Sequence, residues 1–129
     1  MSQNIDFTTL FDVLYDNPSG TLGDVVLSNS AANYARLRVF FCENTNKFGS
    51  VDVYSPNGKT VQATIIVLTQ SPTEASYTKS TSYTINGTAF NISGNYQGEL
   101  GGVVEGGSVE PVFVQGNHIY ITRIEGWKI

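Results

Sequence analysis

The sequence predicts an all-β fold: a single-domain antiparallel β-sandwich or jelly roll, broken by one short helical turn near residues 30–35. Three observations predict it. Strand-favouring Val, Ile, Thr, Tyr, Phe and Trp number 50, against 32 for Ala, Leu, Met, Gln, Glu, Lys and Arg. Apolar runs of strand length alternate with turn clusters nearly throughout. The resulting eight to ten segments recur every roughly 8–15 residues, a spacing suited to sandwiches. A chain of 129 residues has room for one domain with its own core. Residues 1–8 are expected to form a tail or connector, and 9–129 the sandwich.

The first expected strand, Thr9 to Tyr15, sets Phe11, Val13 and Tyr15 against Leu10, Asp12 and Leu14. Asp16-Asn17-Pro18-Ser19-Gly20 should stop it. Asp24 to Leu27 reads as a short strand, and Ser30 as the N-cap of a helical turn over Ala31 to Ala35. In the next strand Leu37, Val39 and Phe41 face opposite to Arg38, Phe40 and Cys42. A polar connection, residues 44–49, leads to Ser50 to Tyr54, where Val51 and Val53 alternate with Asp52 and Tyr54. Asn57-Gly58 then supplies the left-handed backbone of a tight reversal.

Thr60 to Thr69 is apolar on both faces toward its end, which predicts a central strand covered on both sides, by a loop or by a neighbouring subunit. Asn86-Gly87 marks a hairpin between Tyr77 to Ile85 and Thr88 to Ile92. Gly94 to Ser108 carries six glycines and reads as a long loop, functional or mobile. Val112 to Val114 and His118 to Glu125 complete the strands, the last losing alternation near Thr122-Arg123, as a bulge or a strand covered on both faces would.

Charge narrows the function. Only 14% of residues are charged, and the formal net charge is −4. Surface polarity comes instead from 12 Ser, 13 Thr, 11 Asn and 13 Gly. Seven basic residues spread along an acidic chain do not make a phosphate-tracking nucleic-acid binder. No apolar run approaches the roughly 18 residues of a membrane helix, so membrane insertion is not expected. Met1 to Asp6 lacks the basic flank and apolar core of a signal peptide, and the single Cys42 suits synthesis in a reducing cytoplasm.

One His and one Cys do not supply a structural zinc site, and no run of alternating acidic ligands suits calcium, so neither metal nor cofactor is expected. His118 enters the last strand from a turn, where a solvated side chain is the simpler reading than a catalytic one. Glu99 and Glu105 are the one carboxylate pair set apart, but a glycine-rich loop holds such a pair poorly. No enzyme is expected. Asn86-Gly87-Thr88 and Asn91-Ile92-Ser93 match a glycosylation pattern but read as turn and strand residues. Candidate ligand contacts are the loop residues Asn95, Tyr96, Gln97 and Glu99, then Asn44, Asn46 and Lys47. Trp127 is a further candidate, either as a sugar-stacking platform or as a rim or subunit contact.

Three stretches together carry a resemblance: Thr9 to Tyr15 with Leu27 to Tyr34; Val51-Asp52-Val53-Tyr54-Ser55-Pro56-Asn57-Gly58-Lys59; and Ile119 to Trp127. In this order, over roughly Phe7 to Lys128, the chain resembles C-terminal tip domains of tail or head fibres of tailed bacteriophages. The resemblance implies a β-sandwich or jelly-roll tip that forms a homotrimer and contacts the host surface, commonly a glycan. It also implies folding in the host cytoplasm and release on virions. Fibres carry an N-terminal shaft or anchor where this sequence has about eight residues, so an excised tip or a small decoration protein is expected. A monomeric bacterial carbohydrate-binding module is the alternative, and a glycan-cleaving enzyme using Glu99 and Glu105 a more distant one.

Overall fold

Alternating burial along each segment resolves the chain into two antiparallel sheets. The computed structural model describes residues 10–43, 47–67, 77–99, 113–114 and 119–129. Among them are β1 (Phe11–Thr21), β2 (Val25–Val26), a 3₁₀ turn (Ala31–Asn33), β3 (Arg36–Glu43) and β4 (Lys47–Tyr54). There follow β5 (Thr60–Val67), β6 (Tyr77–Asn86), β7 (Ala89–Glu99), β8 (Phe113–Val114) and β9 (Tyr120–Trp127). The first sheet has the order β1-β9-β3-β4, and the second β2-β7-β6-β5 with β8 also on β7. The fold is an all-β sandwich.

The inner faces meet in one apolar core. Leu14, Leu37, Val39, Phe41, Ile121 and Ile124 come from the first sheet, and Val25, Val61, Ala63, Ile65, Tyr83, Ile85 and Phe90 from the second. Tyr83 of β6 stacks on Phe90 of the adjacent β7, ring centroids 4.7 Å apart. At one end the inner positions turn polar. Glu43, the last residue of β3, is 2% exposed and pairs with Lys79 of β6 across the sandwich. The alternation of β3 puts Glu43 on the core side with Leu37, Val39 and Phe41. A buried charge there needs a partner, which the facing sheet supplies.

Two expectations about β1 are corrected. A bulge at Leu14, between the pairs Val13↔Glu125 and Tyr15↔Ile124, breaks the alternation. Phe11 and Val13 therefore stay outside while Leu14 is buried and Tyr15 packs toward the core. The Asp16 to Gly20 cluster does not end the strand. It bows out between Asp16↔Arg123 and Thr21↔Ile121, with Gly20 at φ 84°. Asn17 Nδ2 donates to Thr21 Oγ1 at 2.8 Å, and the Tyr15 and Thr21 hydroxyls hydrogen-bond, closing the bow. Pro18 is tolerated because β1 is an edge strand.

The helical turn is shorter than expected, and Ser30 caps it: its Oγ accepts from Ala32 N–H at 3.2 Å. Tyr34 follows. Its hydroxyl donates to Asp12 Oδ2 at 2.8 Å and accepts from Asn29 Nδ2 at 3.1 Å, and its ring covers Gly126. Asn57 Oδ1 in the β4–β5 turn receives Gly87 N–H at 2.8 Å, tying that turn to the β6–β7 hairpin. The hairpin reverses at Gly87-Thr88, between the pair Asn86↔Ala89, one residue later than its Asn-Gly signal.

β5 is not central. Among the described strands it lies at the edge of its sheet, with Ile65 buried but Ile66 55% exposed. Two apolar faces in a strand say only that both sides lack charge, and strand order is a long-range property. The start of the expected Gly94 to Ser108 loop is strand instead, and residues 100–108 lie outside the described residues. β7 continues through Gly94, Asn95, Tyr96, Gln97, Gly98 and Glu99. A bulge at Ser93 absorbs the irregularity, and β6 supplies a continuous partner from Ser82 back to Tyr77. Glycine weakens a strand but does not forbid one beside a long ladder.

Candidate functional site

The outward positions of the first sheet line up in rows across its four strands. One row is Phe11, Trp127, Arg36 and Tyr54; the next is Val13, Glu125, Arg38 and Asp52; a third is Asp16, Arg123, Phe40 and Ser50. All three arginines of the chain and its only tryptophan therefore share one face, and no lysine occupies these rows.

Trp127 is the centre of the first row. Phe11 stacks on it with centroids 4.6 Å apart and planes at 23°. The Arg36 guanidinium lies 4.7 Å from the indole centroid, and that of Arg38 5.6 Å. β1 and β3 flank β9, so Phe11 and Arg36 approach the indole from opposite sides. The indole Nε1 donates to Glu125 Oε1 at 3.1 Å, and Arg123 Nε donates to the other oxygen at 2.9 Å.

Asp52 bridges the arginine pair. Arg38 reaches it with Nε to Oδ1 at 2.9 Å and Nη2 to Oδ2 at 3.2 Å, while Arg36 Nη1 donates to Oδ2 at 3.0 Å. The Arg38 hydrogen bonds hold the Asp52 carboxyl below the usual aspartate range, against partial burial, and the same bonds raise Arg38. Arg36 Nε also donates to the Ile129 carbonyl at 3.1 Å, which pins the chain end beside Trp127. The row is a preorganised lattice of planar donors and aromatic rings.

Farther along the same face, a groove of about 330 Å³ opens where the register breaks. Thr122 is the extra residue of β9 against β3, between Arg123↔Phe40 and Ile121↔Phe41, and it faces the bow of β1 between Asp16 and Thr21. Phe40, Phe48 and Pro18 wall the groove, with Asp16, Thr122 and Arg123 as its polar lining. Phe48 is 70% exposed, a large apolar ring offered to solvent. Among the described residues, no three His, Cys, Asp or Glu side chains gather as a metal would require.

The residues singled out from sequence are dispersed. Trp127 lies at the centre of the arginine face. Asn95, Tyr96, Gln97 and Glu99 are strand positions of β7, not loop positions, in register with Thr81, Ser80, Lys79 and Tyr77 of the other sheet. Lys47 opens β4 opposite Glu43 instead of lying in a connection. Asn44, Asn46, Glu105 and His118 lie outside the described residues. Sequence reasoning did not select Phe11, Arg36, Arg38, Asp52, Phe40 or Phe48. Their signal was outward alternation opposite core residues, but nothing local says which strands stand side by side.

A scan against models of known protein families finds no match, and a search of curated proteins finds none.

Proposed function

We propose that this protein is a non-enzymatic adhesion module, the tip of a bacteriophage tail or head fibre, carried on the virion as a homotrimer that contacts host-surface glycans. The observation that supports binding is the outer face of the first sheet. Trp, Tyr and Arg carry most of the energy at interfaces, where Lys is depleted, and this face gathers Trp127, Tyr54, Arg36, Arg38 and Arg123. Its charges are largely paired in advance, so a neutral, hydroxyl-rich partner meets donors already held in place. The fibre-tip identity rests on the sequence resemblance, with which an all-β sandwich agrees.

Self-association draws on β5. This eight-residue edge strand has no charge, no proline and no break in its register with β6, and it exposes Ile66. Edges of that kind usually carry such blunting devices unless another chain covers them. Light scattering after size exclusion should give three times the 14.0 kDa chain mass, and Ile66→Lys should shift the population toward monomer. A clean monomer at micromolar concentration would overturn the trimer and favour a monomeric carbohydrate-binding module. An oligomer that retains no glycan on an array would overturn the adhesion reading.

A further inference from the structure

We propose that the groove at the β9 bulge is a binding site for one neutral pyranose ring, with Phe48 as its stacking wall and Asp16 and Arg123 as its hydroxyl partners. This rests on the adhesion reading above and names the ligand class and the place. It places the site on the sheet that carries Lys47 and Trp127, opposite the sheet of Asn95, Tyr96, Gln97 and Glu99.

The groove is built by backbone. In the interval where β9 spends one residue, Thr122, β1 spends four, residues 17–20, so Pro18 rises beside the strand as a rigid wall. Thr122 itself is tied down, its Oγ1 donating to the Phe40 carbonyl at 3.2 Å. On the β4 side Gly49 lines the groove beside Phe48. A Cβ there would stand 2.8 Å from the buried Phe41 ring, so bare backbone at this position lets that ring pack beneath the groove and support its floor. None of these features requires a ligand to form, and preorganisation lowers the entropy lost on binding.

Size and chemistry select the occupant. About 330 Å³ is at the small end of ligand sites, which begin near 300 Å³, and suits a single ring rather than an extended chain. A pyranose presents weakly positive C–H groups on its faces and hydroxyls around its edge. The negative face of an aromatic ring attracts the former. A carboxylate accepts from the latter and a guanidinium donates to them. Asp16 and Arg123 stand opposite each other in the β1–β9 register. Asp16 has no hydrogen-bond partner among the described residues, whereas Arg123 gives Nε to Glu125 at 2.9 Å. With two carboxylates around one guanidinium, an anionic sugar would be repelled. The site therefore takes a neutral one.

The test is an NMR titration of the isotopically labelled chain with methyl glycosides of glucose, galactose, mannose and N-acetylglucosamine, with sialic acid as the anionic comparison. Expected are amide shifts at Gly49, Thr122 and Arg123 with at least one neutral glycoside, and none with sialic acid. Phe48→Ala and Asp16→Asn should each weaken that binding by about tenfold or more, the loss that marks a central contact. Phe48→Tyr, which keeps the ring, should bind within a few-fold of the parent, and Val26→Ala on the other sheet should match it. Because Phe48 is exposed, Phe48→Ala should fold, as circular dichroism will verify. Glycan binding that ignores both substitutions would overturn the groove and leave the adhesion reading standing. Absence of shifts with every neutral glycoside, or a preference for sialic acid, overturns the groove assignment. Loss of all glycan capture by the intact oligomer overturns the adhesion reading as well.

Discussion

Truncating Glu43 to alanine should be the costliest change at the polar end of the core. The Glu43 side chain is 2% exposed, and that of Lys79, which it pairs across the two sheets, 11%. Removing one partner leaves an ammonium in a medium of low polarisability, at a cost of about 3–5 kcal/mol. Unfolding entropies of about 2.1 cal/mol/K per residue amount to roughly 0.27 kcal/mol/K for this chain, so Tm should fall by about 11–18 °C. Glu43→Leu combined with Lys79→Met removes both charges and fills similar volume. That double variant should lie within about 1 kcal/mol of the parent, or above it. The assay is urea unfolding at neutral pH, followed by far-ultraviolet circular dichroism and by the fluorescence of the single tryptophan. The double-mutant cycle isolates the coupling between the two sites. If Glu43→Ala costs less than about 1 kcal/mol, the range of exposed pairs, the two groups are solvated. Their inward register would then be wrong.

Two further outcomes test the first sheet. Asp52 is held below its ordinary range when folded, so its share of stability is present above the unfolded-state value and is lost as pH falls through the folded one. Asp52→Asn should therefore flatten the acid side of a plot of urea midpoint against pH, and an unchanged acid limb would refute the Arg38 and Arg36 assignment. Gly126→Ala would put a Cβ 2.7 Å from the Tyr34 ring and 2.9 Å from Leu14 Cδ1. That overpacking should cost about 1–3 kcal/mol, read as a lower thermal midpoint, and an unaltered midpoint would mean that Tyr34 does not cover Gly126.

Local chemistry was legible at many element positions. The inward set of β3, the Ser30 cap, the β6–β7 hairpin and the bulge near Thr122 all follow from periodicity or from turn residues, which act over a few positions. Failures came where a partner strand overrides local preference. Asp16 to Gly20 carries strong stop signals, yet its ends remain paired to β9 because the bow spends its extra residues outside the ladder. Gly94 and Gly98 suggested a loop, but β6 supplies hydrogen bonds that make glycine's conformational freedom irrelevant there. The buried Glu43 was not legible either. Its charge is met by Lys79, 36 residues away.

The sequence by itself determined the class of this protein: an all-β chain, poor in charge, with its polarity in Thr, Ser and Asn and its apolar residues at period two. Those properties are sums or short-range patterns, and no fold rearranges them. The tertiary structure alone decided that β9 runs between β1 and β3. That adjacency sets Phe11, Trp127 and Arg36 side by side, gathers the three arginines on one face, and lets one bulge open a groove against Phe40 and Phe48. Strand order is chosen by the packing of two whole sheets, so positions more than a hundred residues apart became neighbours without any local sign.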